Sequence, residues 1–242
     1  MTVREHYDNH LSNFYSWMAG DFESKEKEFR NFLEDKGIVP SSTKKKAIDL
    51  GAGHGLQSVP LAKLGFKVTA VDFNAQLLAE LRKNAEGLHI ETLNDDIKHI
   101  RAFAGEEVEL IVCCGDTLSH LDNKREIKAL LIDISTTLSK GGKAVFNFRD
   151  YSTELTGDKR FIPVKADDTR ILTCVLEYER EAVIVTDLLY ERTEMGWQQK
   201  VSSYKKVRIS IKDVIEVLEG NGMQIELNQV INGMITMVAV KL

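Results

Sequence analysis

Apolar and polar positions along this chain follow two periods, and the architecture changes where the period changes. Between residues 46 and 148, short apolar runs alternate with stretches of helical spacing, the pattern of buried parallel strands and covering helices. The runs at 47–50, 66–71, 88–93, 108–114 and 143–148 read as five strands. A helix at 56–64 stops at Gly65, and a second, capped by Asn74, puts Leu77, Leu78 and Leu81 on one face and stops near Gly87. Asp122 is expected to cap a third, whose Ile127, Leu130, Leu131, Ile134 and Leu138 form a stripe ended by Gly141-Gly142. Ahead of the first strand, Tyr7, Leu11, Phe14, Tyr15, Trp17 and Met18 fall at helical spacing. Gly20-Asp21 breaks that stripe, and a helix over 22–36 with Phe29, Phe32 and Leu33 ends at Gly37.

From 169 to 208 the period becomes two, which predicts two or three antiparallel strands, with 152–168, including Pro163, as a loop before them. Ser210 and Asp213 form a capping box for a helix with Ile211, Val214, Ile215 and Leu218 inward. Residues 223–231 and 234–240, joined at Asn232-Gly233, read as a final hairpin.

Candidate chemistry gathers where strands end. The first strand runs into Gly51, Gly53 and Gly55, then a helix, then a second strand that stops at Asp72. Strand, glycine turn, helix, strand and acid make half of a nucleotide-binding unit. Glycines admit a close ligand, the helix start offers free N–H groups, and a carboxylate at the next strand end can take both hydroxyls of a ribose. A dinucleotide fingerprint would need glycine at position 56, where Leu56 stands. Asp49-x-Gly51-x-Gly53-x-Gly55 instead resembles motif I of the class I S-adenosylmethionine-dependent methyltransferases.

The resemblance covers about residues 46–150 and implies S-adenosylmethionine as cofactor. The candidate cofactor contacts are Asp49, Gly51, Gly53, Gly55, Asp72 with its neighbour Phe73, the turn Asp95-Asp96-Ile97, and Cys114. A carboxylate in that turn can accept the adenine amino group while Ile97 packs on the ring; an acidic turn that only caps the next helix is the other reading. The implied fold is α/β: a Rossmann-like, doubly wound, mostly parallel seven-stranded sheet with a terminal antiparallel hairpin. An N-terminal helical lid (1–40) precedes the core (41–150), an inserted antiparallel β subdomain (151–209) serves as substrate lid, and residues 210–242 complete the sheet.

Two further strand ends, Cys113-Cys114-Gly115-Asp116-Thr117-Leu118-Ser119-His120-Leu121 and Asn147-Phe148-Arg149-Asp150-Tyr151, with Tyr7 and Ala19-Gly20-Asp21, resemble the glycine N-methyltransferase group. In that group the residue matching Arg149 holds a substrate carboxylate, and an asparagine that touches substrate stands where this chain has Asp116. The resemblance therefore implies Asp116, His120, Arg149 and Tyr7 as the reacting-centre residues, with an amine or amino-acid-like acceptor. Asp116 and Arg149 either pair with each other or divide a ligand between them; His120 is a base or a hydrogen-bonded structural histidine, and Tyr7 faces the reacting centre or only packs.

Composition trims the alternatives. At 242 residues, with 43% apolar and 29% charged positions, the chain can bury a sizeable core. A net charge of −5, with Lys44-Lys45-Lys46 the only compact basic run, argues against a nucleic-acid partner. Three cysteines, Cys113, Cys114 and Cys174, match no disulfide or metal spacing. Reduced thiols and the lack of an apolar leader or spanning run point to a cytoplasmic protein without a membrane partner, monomer or homodimer. A nicotinamide dehydrogenase and a non-catalytic S-adenosylmethionine-binding protein are the competing functions.

Overall fold

The computed structural model describes residues 1–231 and 233–242; the turn position Asn232 lies outside the described residues. The N-terminal segment folds as α1 (Val3–Asn9), a 3-10 turn (Leu11–Asn13), α2 (Tyr15–Ala19) and α3 (Phe22–Asp35). The aromatic stripe is thus not one helix. The chain leaves helical angles at His10 and again at Phe14, which lets Leu11 and Phe14 turn onto Leu172 and Leu189 of the inserted sheet. Thr2 and Glu5 close a capping box on α1, and Asp21 caps α3.

The core follows as β1 (Lys46–Leu50), α4 (Ser58–Lys63), β2 (Lys67–Asp72), α5 (Ala75–Asn84), β3 (Ile90–Asn94), α6 (Ile100–Phe103), β4 (Val108–Cys113), α7 (Lys124–Thr137) and β5 (Leu138–Phe148). Asn123, not Asp122, caps α7, its side chain accepting from the Glu126 N–H. Gly141-Gly142 does not end that helix either. The chain turns extended at Leu138, and the pair sits inside β5, where the register jumps from Val108↔Leu138 to Leu110↔Lys143. A Cβ on Gly142 would stand 2.8 Å from the Ser139 carbonyl oxygen, so the bulge needs glycine.

After β5 come β6 (Phe161–Ala166), β7 (Arg170–Tyr178), β8 (Ala182–Thr193) and β9 (Gly196–Val207), then α8 (Ile211–Glu219), β10 (Met223–Ile231) and β11 (Met234–Lys241). The inserted sheet has four strands, where the alternation indicated two or three. β6 lies in the stretch expected to be loop: it is an edge strand, it carries Pro163, and a register shift beside that proline erases its alternation.

The main sheet has the order β10-β11-β5-β4-β1-β2-β3, parallel from β5 to β3, with β11 antiparallel to both neighbours. On one face Ile48, Ile111 and Phe146 pack with Ile127, Leu131 and Leu218 of α7 and α8; on the other Ala47, Val112 and Val145 pack with Leu33 of α3 and Leu61 of α4. Chain direction across the sheet reverses between β1 and β4, so the loops at the carboxyl ends of β1, β2, β3 and β4 open a crevice there. No helix among the described residues is long and apolar enough to cross a membrane.

Candidate functional site

The Gly51 and Ala52 N–H groups donate to the Val71 carbonyl at 2.9 and 3.0 Å, bending the chain tightly off β1. Gly51 has φ +76, and a Cβ there would stand 2.4 Å from Thr117 Oγ1, so the β4 loop can close on it only while it is glycine. Gly55, at φ +99, is held by packing: a Cβ would reach 2.9 Å from Leu81 of α5. Asp49 is wholly buried beneath this turn. It accepts from Ser58 Oγ at 2.5 Å, its other oxygen has no partner, and burial pushes its carboxyl up to about 7.

Asp72 closes the turn from the other side. It accepts from the Gly53 and Asn74 N–H groups, both at 2.8 Å, and burial raises its carboxyl above the usual range. Two N–H bonds leave lone pairs free toward a cavity of about 270 Å³, lined among others by Gly51, Gly53, Asp72, Phe73, Ile97 and Cys114. Arg4 of α1 stands 4.9 Å over the Phe73 ring and donates to the Phe73 carbonyl at 3.2 Å, covering that wall. Asp96 also lines this cavity, one carboxyl oxygen accepting the Lys98 N–H at 2.9 Å. Asp95 does not: it turns outward to His99 Nδ1 at 2.8 Å and to the Asp96 N–H at 2.7 Å. Asp49 and Gly55 likewise stand behind the cavity wall, shaping the turn rather than lining it.

A second cavity, about 840 Å³, opens between the core, the N-terminal helices and the inserted sheet. The two share Tyr7, Tyr15, Leu56, Gly115 and His120 in their walls, so they meet at one junction. Tyr7 contacts Phe73 and His120 edge-on, at 5.4 and 5.6 Å between ring centres, and burial raises its hydroxyl well above the ordinary value. His120 Nε2 is buried without a hydrogen-bond partner among the described residues. Burial, then the charge of Lys206, bring its imidazole down to about 3, so the ring is neutral at physiological pH.

Asp116, left-handed at φ +69, does not form an ion pair with the Arg149 side chain. Its carboxylate accepts from Lys206 Nζ at 2.6 Å, Tyr151 Oη at 2.8 Å and the Arg149 backbone N–H at 3.0 Å. Burial alone would raise Asp116, but Lys206 and these donors outweigh it, and its carboxyl lies below the usual range. Such a carboxylate is already neutralised and is a counter-ion before it is a substrate ligand. Lys206 went unnoticed in the sequence, although it follows buried Ser202 and Tyr204 at the inward positions of β9, and a lysine at an inward position signals a buried partner. His6 was also missed. Wholly buried, it places Nδ1 2.8 Å from Ser202 Oγ and stacks on Tyr204 at 4.0 Å, tying α1 to the inserted sheet.

Among the described residues no group of His, Cys, Asp and Glu side chains could hold a metal ion. The crevice has instead what a nucleoside-bearing cofactor requires: a glycine turn without side chains, an acid with free lone pairs at the second strand end, and a separate cavity facing the first. Fold and site define a doubly wound α/β protein built to hold a nucleoside-bearing cofactor. Residues 47–142 match the family model of a methyltransferase domain. Glycine N-methyltransferase of Oryctolagus cuniculus is 24% identical over 229 residues, which cover 85% of this chain and 76% of that protein. An S-adenosylmethionine-dependent methyltransferase from Clostridium acetobutylicum superposes with a TM-score of 0.73 at 17% identity, over 97% of this chain and 96% of its own. An amino pentose methyltransferase from Micromonospora echinaspora, with S-adenosylmethionine bound, superposes at 0.76 and 12%, over 96% and 97%. The matched domain, the relatives and the solved structures together support a class I S-adenosylmethionine-dependent methyltransferase.

Proposed function

We propose that this enzyme methylates the nitrogen of a small-molecule amine, with the cofactor in the smaller cavity and the amine entering from the larger one. The observation that carries this reading is the junction: the two cavities share Tyr7, Tyr15, Leu56, Gly115 and His120 in their walls. In this reading Gly51 and Gly53 lie along the amino-acid portion of the cofactor, Asp72 takes the ribose hydroxyls, and Asp96 accepts the adenine amino group. Phe73, Ile97 and Cys114 pack on its apolar faces, while Asp49 and Gly55 fix the turn. The name of the rabbit relative, a glycine N-methyltransferase, supports a nitrogen acceptor.

S-adenosylmethionine supplies an activated methyl group on a sulfonium, so the protein's contribution is alignment, worth on the order of 7–11 kcal/mol for well-oriented partners. Tyr7 and Tyr15 wall the junction and exclude water from it. Burial brings the His120 imidazole down to about 3, which makes it a weak base, and Asp116 is held by Lys206 and Tyr151. The amine must therefore arrive neutral, its proton lost to solvent. The test is release of S-adenosylhomocysteine with candidate amines as pH is varied. Below the acceptor's own pKa, kcat/KM should rise about tenfold per pH unit without a break near 6.5. A break near 6.5 that vanishes in His120→Asn would make His120 the base and overturn this part of the reading.

A further inference from the structure

An antiparallel sheet with one face on a core and the other in water alternates apolar and polar positions along its strands. The inserted sheet breaks that rule, because it is apolar on both faces. Inward, Leu172 and Leu189 are buried with Leu11 and Phe14, while Leu176 and Val185 wall the larger cavity. Outward, the register sets Phe161 beside Val175 and Leu188 beside Val201, with Ile171 and Ile184 on the same face. Phe161, Ile171 and Val201 are 49%, 40% and 55% exposed, and none of the six belongs to a hydrophobic cluster among the described residues.

The polar groups on this outer face already satisfy one another. Thr186 Oγ1 and Ser203 Oγ lie 2.9 Å apart, and Gln199 Nε2 donates to Tyr190 Oη at 2.7 Å. Charges stand only at the strand ends, with Glu177 and Lys205 at one and Arg192 at the other. Depletion of charge at the centre and a charged rim are the composition of a protein interface. The size also fits. Three of the four strands run to 9 or 12 residues. Strands about 4.8 Å apart and about 30 Å long give a footprint of about 600 Å², and side-chain relief raises the accessible area above that. A stable interface takes about 800 Å² from each partner, and a monomer seldom leaves so large an apolar face bare.

We propose that this face seats the same face of a second copy, so that the protein is a two-fold dimer with its inserted sheets stacked. An identical face is the match these features call for. It is uncharged at its centre, so two copies meet without like-charge repulsion, and its hydroxyls and amide are paired beforehand, so none is stranded on burial. A partner selected by charge or by hydrogen bonds would find little to grip. Two twisted sheets stack about 10 Å apart with their strands within about 30° of each other. The second copy then backs the sheet whose inner side roofs the larger cavity, and it leaves both cavities open.

The test is sedimentation velocity of the full chain over a range of concentrations, with and without S-adenosylhomocysteine. A dimer is expected in both conditions. Val201→Lys and Ile171→Lys, each on an exposed side chain, should raise the dimer dissociation constant at least about tenfold, because each buries an unpaired ammonium. Circular dichroism should be unchanged in both. If a lysine disturbs the sheet, Val201→Thr keeps the strand's shape and should still weaken the dimer several-fold. A chain that is monomeric at every concentration, or a dimer that ignores these substitutions and therefore uses another surface, would overturn the proposal. So would monomers that sediment with phosphatidylcholine–phosphatidylglycerol vesicles, which would give the face to a lipid surface.

Discussion

Asp116 and Lys206 form a buried ion pair in the wall of the larger cavity, at 2.6 Å with both side chains largely buried. Buried pairs contribute little net stability, but removing one partner strands the other charge. Lys206→Met should therefore destabilise the protein by about 3–5 kcal/mol, and Asp116→Asn combined with Lys206→Met should recover much of that loss in urea unfolding. A loss in the double variant equal to the sum of the two single losses would show that the pair is not coupled. A second residue-scale effect concerns His54, which lines the smaller cavity with its ring between Tyr15 and Phe22. Burial brings it down to about 4, so its folded-state value lies below its unfolded one. Its contribution is then fully present above about pH 6.5 and is lost as pH falls toward 4, on the order of 3 kcal/mol at the limit. His54→Gln should be less sensitive to acid than the parent over that window; parallel stability–pH curves would contradict it. The glycines and Asp72 were legible because their partners are close in sequence, Gly53 to Asp72 being 19 residues apart. Lys206 was not, because what explains it is a carboxylate 90 residues away.

Helix α1 is the element that ties the site together, and its seven residues could not be stable alone. It is held from outside: His6 by Ser202, Asp8 by the Asn74 side chain at 2.8 Å, and Arg4 by the Phe73 carbonyl. Deleting residues 1–9 removes one wall of both cavities but leaves α3, whose Leu33 is fully buried against the main sheet. That variant should remain folded by circular dichroism and lose most of its affinity for S-adenosylhomocysteine; undiminished affinity would make α1 packing alone. A deletion reaching residue 40 would also strip Leu33 and Ile38 from the core, so it tests stability rather than closure. The five parallel strands and α5, α7 and α8 were legible because each carries its own period. β6 was not, because a proline and a bulge hide its alternation, and the break at His10 is set by where Leu11 and Phe14 must pack.

At the scale of the molecule, a doubly wound sheet leaves a crevice at its carboxyl edge, and the inserted sheet and N-terminal helices roof it into two cavities with one junction. The glycine turn and acid would serve a nicotinamide cofactor by the same logic, so cofactor choice is the claim on which the rest depends. The direct measurement is calorimetry of S-adenosylhomocysteine and of NADH against the parent chain and Asp72→Ala. The account predicts one site for S-adenosylhomocysteine and no heat from NADH. Asp72→Ala should cost about 1–3 kcal/mol of binding, because a buried acceptor for the ribose hydroxyls is lost. NADH bound at that site, or S-adenosylhomocysteine bound equally well by Asp72→Ala, would contradict it.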